Sequence, residues 1–123
     1  MLCIMKLIKC VSLLILLIFR YFIFQRAVLE IKPICENCGK ALPGNSSQAM
    51  ICTFECTFCK DCVDNILFNV CPNCGGGFEK RPLRPIHLLE KYPVSKTEYL
   101  KPVDKDKFQS MLDKYKGIDP DKR

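Results

Sequence analysis

The chain has 123 residues, of which ten are cysteine and one is histidine, and its formal net charge is +6. This length allows one ordinary domain, and a single histidine excludes a metal site with two histidine ligands and disfavours a Ser-His-Asp or Cys-His catalytic centre. The charge is uneven, because residues 1–27 carry four basic side chains and no acid, whereas residues 28–123 carry 15 basic and 13 acidic side chains.

The first predicted segment is the apolar N-terminus, residues 1–27. Its apolar run approaches the about 20 residues that a membrane helix needs, provided that the lysines at its start and Arg20 near its end are tolerated. As a signal peptide it lacks a small-residue cleavage site. Two interpretations stay open: an apolar helix that tethers a cytoplasmic domain to the membrane through residues 7–24, or sequence that is not part of the working protein.

Three elements are predicted around the cysteines that follow. Residues 28–34 alternate apolar and polar side chains, which predicts a short strand. Residues 39–50 are rich in turn-forming residues and predict a loop. Residues 60–69 predict a helix, because apolar side chains recur from Val63 at helical spacing.

Two further segments are predicted beyond the cysteines. Residues 79–103 form a basic extension broken by prolines, whose scattered apolar positions could lie along the core. Residues 104–123 predict an amphipathic helix and a tail, with Asp104 as N-cap, Gly117 as the stop and a frayed end. One apolar face of this helix covers the core or, as the alternative, binds a partner; its residues are Phe108, Met111, Leu112 and Tyr115.

Eight cysteines fall within 40 residues, as three Cys-x2-Cys pairs and one Cys-x3-Cys pair: Cys35, Cys38, Cys52, Cys56, Cys59, Cys62, Cys71 and Cys74. A tight turn between two such cysteines aims both sulfurs at one ion, whereas a structural disulfide usually joins distant parts of a chain. The pattern therefore predicts two closed four-cysteine Zn²⁺ sites, which would stabilise a core too small to fold alone. A disulfide framework and an iron–sulfur cluster are the alternatives.

The order of the spacings, C-x2-C-x13-C-x3-C-x2-C-x2-C-x8-C-x2-C, resembles that of a RING-type domain. The resemblance implies a small α+β fold with a short β-hairpin, one central helix and a cross-brace in which alternate pairs share an ion. One zinc would then bind Cys35, Cys38, Cys59 and Cys62, and the other Cys52, Cys56, Cys71 and Cys74. Two consecutive zinc knuckles or a ribbon-like arrangement remain open.

Four stretches carry a second resemblance: residues 28–33 (VLEIKP), 35–38 (CENC), 52–59 (CTFECTFC) and 71–76 (CPNCGG). They look like the small bacterial proteins of the domain-of-unknown-function family numbered 1272, and the resemblance extends over about residues 28–103. It implies a compact cysteine-rich domain and no established activity. The family pattern usually begins near Leu29, with a start residue at the position of Val28, so upstream sequence from a wrong start assignment and a membrane tether stand as equal interpretations of the preceding residues.

The predicted organisation is an apolar segment (1–27), a two-zinc domain (28–78), a basic extension (79–103) and a C-terminal helix with its tail (104–123). All eight clustered cysteines are assigned to metal and none to catalysis, so the expected function is a structural or protein-interaction module rather than an enzyme. Its protein partner is not identified by the sequence.

Three alternative functions stay open. A ubiquitin-ligase-like RING is disfavoured because Asn37, Ile66 and Gly75 stand where such domains usually have aliphatic, aromatic and basic residues. Nucleic-acid binding would use Lys80, Arg81, Arg84, Lys91, Lys96 and Lys101. It is disfavoured by charge, since eight thiolates and two Zn²⁺ ions bring residues 28–123 from +2 to −2. A thiol or zinc sensor is the third alternative.

Overall fold

The N-terminal segment is described only in part, because the structure, a computed structural model, covers residues 9–20 and 28–123. Residues 9–20 are helical and their side chains are exposed. Among the described residues, no helix is long and apolar enough to cross a membrane. The predicted tether through residues 7–24, and the localisation based on it, are overturned by this finding, since the described helical residues 9–20 are fewer than the about 20 that a span needs. The rest of residues 1–27 lies outside the described residues.

The cysteine-rich region is built on a small antiparallel sheet of three strands. Strand β1 (Ala49–Ile51) lies between β2 (Thr57–Cys59) and β3 (Glu79–Lys80), so the order is β2-β1-β3. Together with the helices described below, the sheet confirms the predicted small α+β class. The hairpin between β1 and β2 matters most for the site, because its turn carries one cysteine pair.

The segment before the first cysteine is irregular, and the strand predicted for residues 28–34 is wrong. One isolated bridge joins Ile34 to Ala41. The main-chain carbonyls of Ile31 and Pro33 instead accept hydrogen bonds from the amides of Ser95 (2.9 Å) and Leu42 (2.7 Å). These partners come from two separate loops, so no continuous strand ladder forms, and Pro33 itself has no N–H to donate.

The helix predicted for residues 60–69 is present, but it is shorter and wider than a regular α-helix. It begins as one α-helical turn, Lys60–Cys62, and continues as a π-helix, Val63–Leu67. It ends at Phe68, which has a left-handed backbone (φ +48°). Val63 and Leu67 are buried in the core, so the apolar spacing identified the inward face correctly.

Arg81 is the largest departure from the predicted basic linker, because its side chain is only 1% exposed. Its guanidinium donates to the main-chain carbonyls of Lys32 (2.8 Å), Leu42 (3.1 Å) and Pro43 (2.7 Å). Its Nε has no hydrogen-bond partner among the described residues. Burial lowers the pKa of Arg81. Arg81 thus fastens the loop around the first cysteine pair to the sheet, since it directly follows β3.

The C-terminal helix, Lys105–Tyr115, covers one face of the cysteine-rich core. Asp104 caps it as predicted, because its carboxylate accepts hydrogen bonds from the amides of Asp106 and Lys107. Phe108 and Leu112 are buried, while Met111 and Tyr115 pack against the core at its edge. The apolar face therefore packs on the chain's own core, as in the first of the two alternatives.

The tail after this helix is held in place, so the frayed end expected from the sequence is wrong. Residues Pro120–Lys122 form a 3₁₀ turn. Arg123 donates hydrogen bonds to the carbonyls of Asn69 (2.7 Å), Gly75 (3.2 Å) and Ile118 (2.9 Å). A guanidinium has five donors, which lets one terminal side chain bind several loop carbonyls at once.

Candidate metal centre

The first cysteine pair lies in a tight turn whose backbone closes on itself. The amide of Gly39 donates to the carbonyl of Cys35 (3.0 Å), and the amide of Cys35 donates to the carbonyl of Lys40 (2.9 Å). Gly39 has φ +76°, a left-handed conformation that glycine adopts without steric cost. The turn therefore brings Cys38 round to the same side as Cys35.

The last cysteine pair repeats this turn. The amide of Gly75 donates to the carbonyl of Cys71, and the amide of Cys71 donates to the carbonyl of Gly76, both at 2.8 Å. Gly75 has φ +77°. The two turns share the motif Cys-x-Asn-Cys-Gly, a five-residue repeat that cysteine spacing alone does not reveal.

The first cluster contains the first and third pairs. The sulfurs of Cys35, Cys38, Cys59 and Cys62 all lie within 4.8 Å of one another. The Sγ atoms of Cys38 and Cys59 are 3.7 Å apart. This separation is far longer than a disulfide bond of about 2.05 Å. It matches the edge of a tetrahedron of about 3.8 Å that a Zn–S bond of about 2.3 Å implies. The geometry of this cluster fits a metal ion.

The second cluster combines the Cys-x3-Cys pair with the last pair, but it is less complete. The sulfurs of Cys52, Cys56 and Cys71 lie within 4.8 Å of one another, and Cys74 falls outside that limit. The sulfur of Cys74 instead accepts a hydrogen bond from the amide of Gly76 (3.4 Å). The structure therefore brings together seven of the eight predicted ligands, in the alternate-pair grouping, and leaves the eighth beside its cluster.

The two partner pairs enter their clusters from different elements. Cys59 ends β2 and Cys62 ends the first turn of the central helix. Cys52 and Cys56 flank the turn of the β1–β2 hairpin, where the Cys52 amide donates to the Cys56 carbonyl (3.2 Å). Glu55 in this turn has a left-handed backbone (φ +64°).

The thiols of the second cluster differ strongly in acidity. Burial raises the pKa of Cys52 to about 11. The hydrogen bond from the Cys71 thiol, helped by the Asn73 amide and the charge of Lys32, outweighs burial and lowers the pKa of Cys56 to about 5. The same hydrogen bond raises the pKa of Cys71. Cys56 is therefore easier to ionise than Cys52 and Cys71.

In the first cluster the exposed cysteine is Cys38, whereas the other three cysteines are buried. Burial acts to raise the pKa of Cys38, but hydrogen bonds from the Lys40 amide and from the neighbouring thiols lower it overall. Burial raises the pKa of Cys59. This cluster thus has one thiol that is both accessible to solvent and easier to ionise than an ordinary cysteine.

The two clusters are tied together by Glu36, a residue that the sequence analysis did not single out. Glu36 lies inside the first cysteine turn and is buried. Its amide donates to the carbonyl of Thr57 (3.0 Å), and its carboxylate accepts from the Thr57 amide and pairs with Lys32 (3.4 Å). Since Thr57 directly follows Cys56, these contacts join the first turn to a ligand of the second cluster. Only its position between two cysteines could have indicated this role.

Two of the basic residues considered for nucleic-acid binding donate hydrogen bonds to main-chain carbonyls of the fold. Arg81 is buried, as described above. Arg84 donates to the carbonyls of Tyr92 (2.8 Å) and Leu29. Both guanidiniums therefore hold loops together. Fewer basic side chains are left to form the surface that was considered for nucleic-acid binding.

Comparison with known proteins identifies the family. A family model described as a protein of unknown function (DUF1272) matches residues 28–84. An uncharacterized protein of Rhizobium meliloti (strain 1021) is similar, with 52% identity over 75 residues, which is 61% of this chain and 89% of the relative. The chain belongs to the DUF1272 family. The predicted resemblance is therefore confirmed.

The DUF1272 match ends before the C-terminal helix begins, so that helix lies outside the residues that the family model matches. All eight clustered cysteines lie inside the match. No solved structure matches the chain.

Proposed function

We propose that this DUF1272 domain binds two structural Zn²⁺ ions and serves as a protein-interaction module without a catalytic centre. The observation that carries the proposal is the pair of interleaved cysteine clusters, one of which has a sulfur–sulfur separation that fits a tetrahedral zinc site. One ion would bind Cys35, Cys38, Cys59 and Cys62. The other would bind Cys52, Cys56, Cys71 and, after its sulfur turns toward the other three, Cys74.

A site closed by four thiolates has no position left for water or substrate, which argues for a structural ion rather than a catalytic one. In such a site the ion supplies positive charge that stabilises the ionised thiolates. The chain's own residues do the rest: the two Cys-x-Asn-Cys-Gly turns present sulfurs, and the hairpin and the central helix present the opposing pairs. Because the pairs alternate along the chain, neither site can form from one half of the domain alone.

The partner that we propose is a protein. A groove of about 290 Å³ separates the second cysteine turn from the start of the C-terminal helix. Apolar side chains line much of it, including Phe58, Pro72, Val103 and Met111. Nucleic acid remains disfavoured as a partner, because Arg81 and Arg84 donate to main-chain carbonyls of the fold.

Metal analysis of the purified full chain tests the proposal. Native mass spectrometry should show two zinc ions per chain, and denatured, alkylated protein should show that every clustered cysteine was a free thiol. Other metals would be scored in the same spectra, since iron or an iron–sulfur cluster would add a different mass. Four disulfides and no bound metal would refute the proposal.

A second candidate, a thiol sensor, is favoured by the exposed sulfur of Cys38. Hydrogen peroxide would take two electrons from two thiolates of the first site and two protons from solvent, which forms one disulfide and two water molecules, and the site would lose its ion. Zinc release measured with a coloured chelator during peroxide titration tests this function. Zinc content that stays constant while free peroxide persists would argue against it.

A further inference from the structure

We propose that Asn37 and Asn73 are positioning residues for the two metal sites, each holding a sulfur of the opposing cysteine pair through its side-chain amide. The inference rests on the proposed zinc function. It adds to it, because at each site a residue that is not a ligand positions a ligand sulfur. Both residues occupy the third position of the repeated Cys-x-Asn-Cys-Gly turn.

At the first site, the Nδ2 of Asn37 donates to the Sγ of Cys62 (3.3 Å). The orientation of this amide is fixed independently. Its Oδ1 accepts a hydrogen bond from the amide of Val103 (2.9 Å), and a main-chain N–H can only donate. The nitrogen must therefore face the sulfur. The same side chain connects the first site to the segment that leads into the C-terminal helix.

At the second site, the Nδ2 of Asn73 donates to the Sγ of Cys56 (3.4 Å). A metal-bound thiolate has no proton and can only accept, so the amide nitrogen again faces the sulfur. In both sites the asparagine reaches from the glycine-closed turn to the second cysteine of the opposing pair. The surroundings differ, since one acceptor lies in the central helix and the other at the hairpin turn. Recurrence of the same contact in two settings points to a role for the contact itself.

The expected effect follows from the charge of a four-thiolate site. Hydrogen bonds to an ionised acceptor are stronger than those between neutral groups, and each one offsets part of the negative charge that the ion leaves uncompensated. Hydrogen-bond partners of metal ligands also fix ligand orientation, and their loss typically lowers metal affinity by about 10–100-fold. Because each asparagine touches one site, the loss should fall on that site alone.

Substitution of each asparagine in the full chain provides the first test. Asn37→Asp keeps the oxygen that accepts from Val103 but removes the donor to Cys62, and Asn73→Asp removes the donor to Cys56. We expect one of the two zinc ions to bind about 10–100-fold more weakly in competition with a chelator, while the other keeps its affinity. Asn73→Leu removes the donor without adding charge and should weaken the same ion. Asn45→Asp, in an exposed loop, is the matched control and should leave both ions unchanged.

The second test uses the unaltered chain, so it does not depend on the folding of a variant. With ¹¹³Cd in place of zinc, NMR should show two cadmium resonances, each coupled through an N–H···S–Cd path to the side-chain amide protons of one asparagine. Two cadmium resonances without such couplings would overturn the inference and leave the proposed function standing. Failure of the unaltered chain to bind either metal would overturn both.

Discussion

The two cysteine clusters are built on turns of the same kind but differ in how many sulfurs they bring together. The turns of Cys35 and Cys71 share their motif, their hydrogen bonds and their left-handed glycines. Yet all four sulfurs of the first cluster approach one another, whereas the second gathers three. The turn alone therefore does not determine how complete a site is.

The two sites also differ in their opposing pairs and in what packs behind each turn. Cys59 and Cys62 lie at the junction of β2 and the central helix, where regular structure sets their spacing. Cys52 and Cys56 flank a hairpin turn that must also accommodate a left-handed Glu55. Behind the second turn, the C-terminal helix and Arg123 hold the loop from outside. The second site thus relies more on contacts remote from its ligands.

The largest expected effect is the loss of a buried ligand from either cluster. Cys35→Ser and Cys71→Ser should each unfold the cysteine-rich domain, because the ligand pairs alternate along the chain and a structural zinc contributes on the order of 10–16 kcal/mol. Amide NMR dispersion and zinc stoichiometry measure this. Cys10→Ser, in the exposed N-terminal helix, is the control and should change neither.

A folded Cys71→Ser chain that still held one zinc would contradict this prediction. It would show that the first site forms by itself, and that the two clusters are independent despite their interleaved ligands. The reciprocal result with Cys35→Ser would assign that independence to the second site.

Acidification should release the metal from both sites, since protons compete with zinc for thiolates. At the second site the pKa of Cys52 is about 11, so zinc must displace its proton throughout the neutral range. Apparent affinity should therefore keep rising from pH 7 to pH 9, by about tenfold per pH unit for each thiol that must ionise. Cys56, with a pKa of about 5, should stop adding to this slope above about pH 6. Chelator competition across this range measures the slope, and a flat profile would contradict the prediction.

Some of this architecture could be predicted because it depends on local chemistry. Cysteine spacing indicates that both sulfurs of a pair can face one ion, since a short turn fixes their direction, whereas the grouping of the pairs came from the resemblance to a RING-type domain. The Asp104 cap and the inward face of the C-terminal helix likewise depend on residues within a few positions of one another. At these positions prediction succeeded because neighbours in sequence determine the outcome, whereas the local alternation of residues 28–34 did not produce a strand.

Other parts depend on groups far apart in the chain. Arg81 looks like an exposed linker residue until Leu42 and Pro43 present carbonyls to it from 39 and 38 positions earlier. The ordered tail depends on Asn69 and Gly75, which lie 54 and 48 positions before Arg123. No local periodicity encodes such contacts, and a charged side chain is rarely buried.

Replacing Arg81 by methionine should destabilise the loop around the first cysteine pair. The substitution keeps an unbranched side chain of similar reach but leaves the carbonyls of Lys32 and Leu42 without their donor, whereas the carbonyl of Pro43 keeps the Ser46 amide (2.8 Å). Each unsatisfied buried carbonyl costs about 1–3 kcal/mol, and partial rehydration should limit the total to about 3 kcal/mol. Denaturant unfolding of the zinc-loaded chain measures the loss. Lys80→Met on the exposed strand before it is the control, and an equal effect there would contradict the role assigned to Arg81.

The smallest expected effect compares the two glycines that close the turns. Both Gly39→Ala and Gly75→Ala force alanine into a left-handed backbone, at a cost of about 1 kcal/mol each. A Cβ at Gly39 would lie 3.6 Å from Leu100, an ordinary contact, whereas a Cβ at Gly75 would lie 2.8 Å from the ring of Tyr115. We therefore expect Gly75→Ala to cost about 1–2 kcal/mol more than Gly39→Ala in the free energy of unfolding of the zinc-loaded chain. In a Tyr115→Ala background this excess should disappear, because the clash with the ring is gone and only the cost of the left-handed alanine backbone remains. An excess that persists without Tyr115 would show that the second turn is intrinsically more strained than the first, rather than more tightly covered by the C-terminal helix.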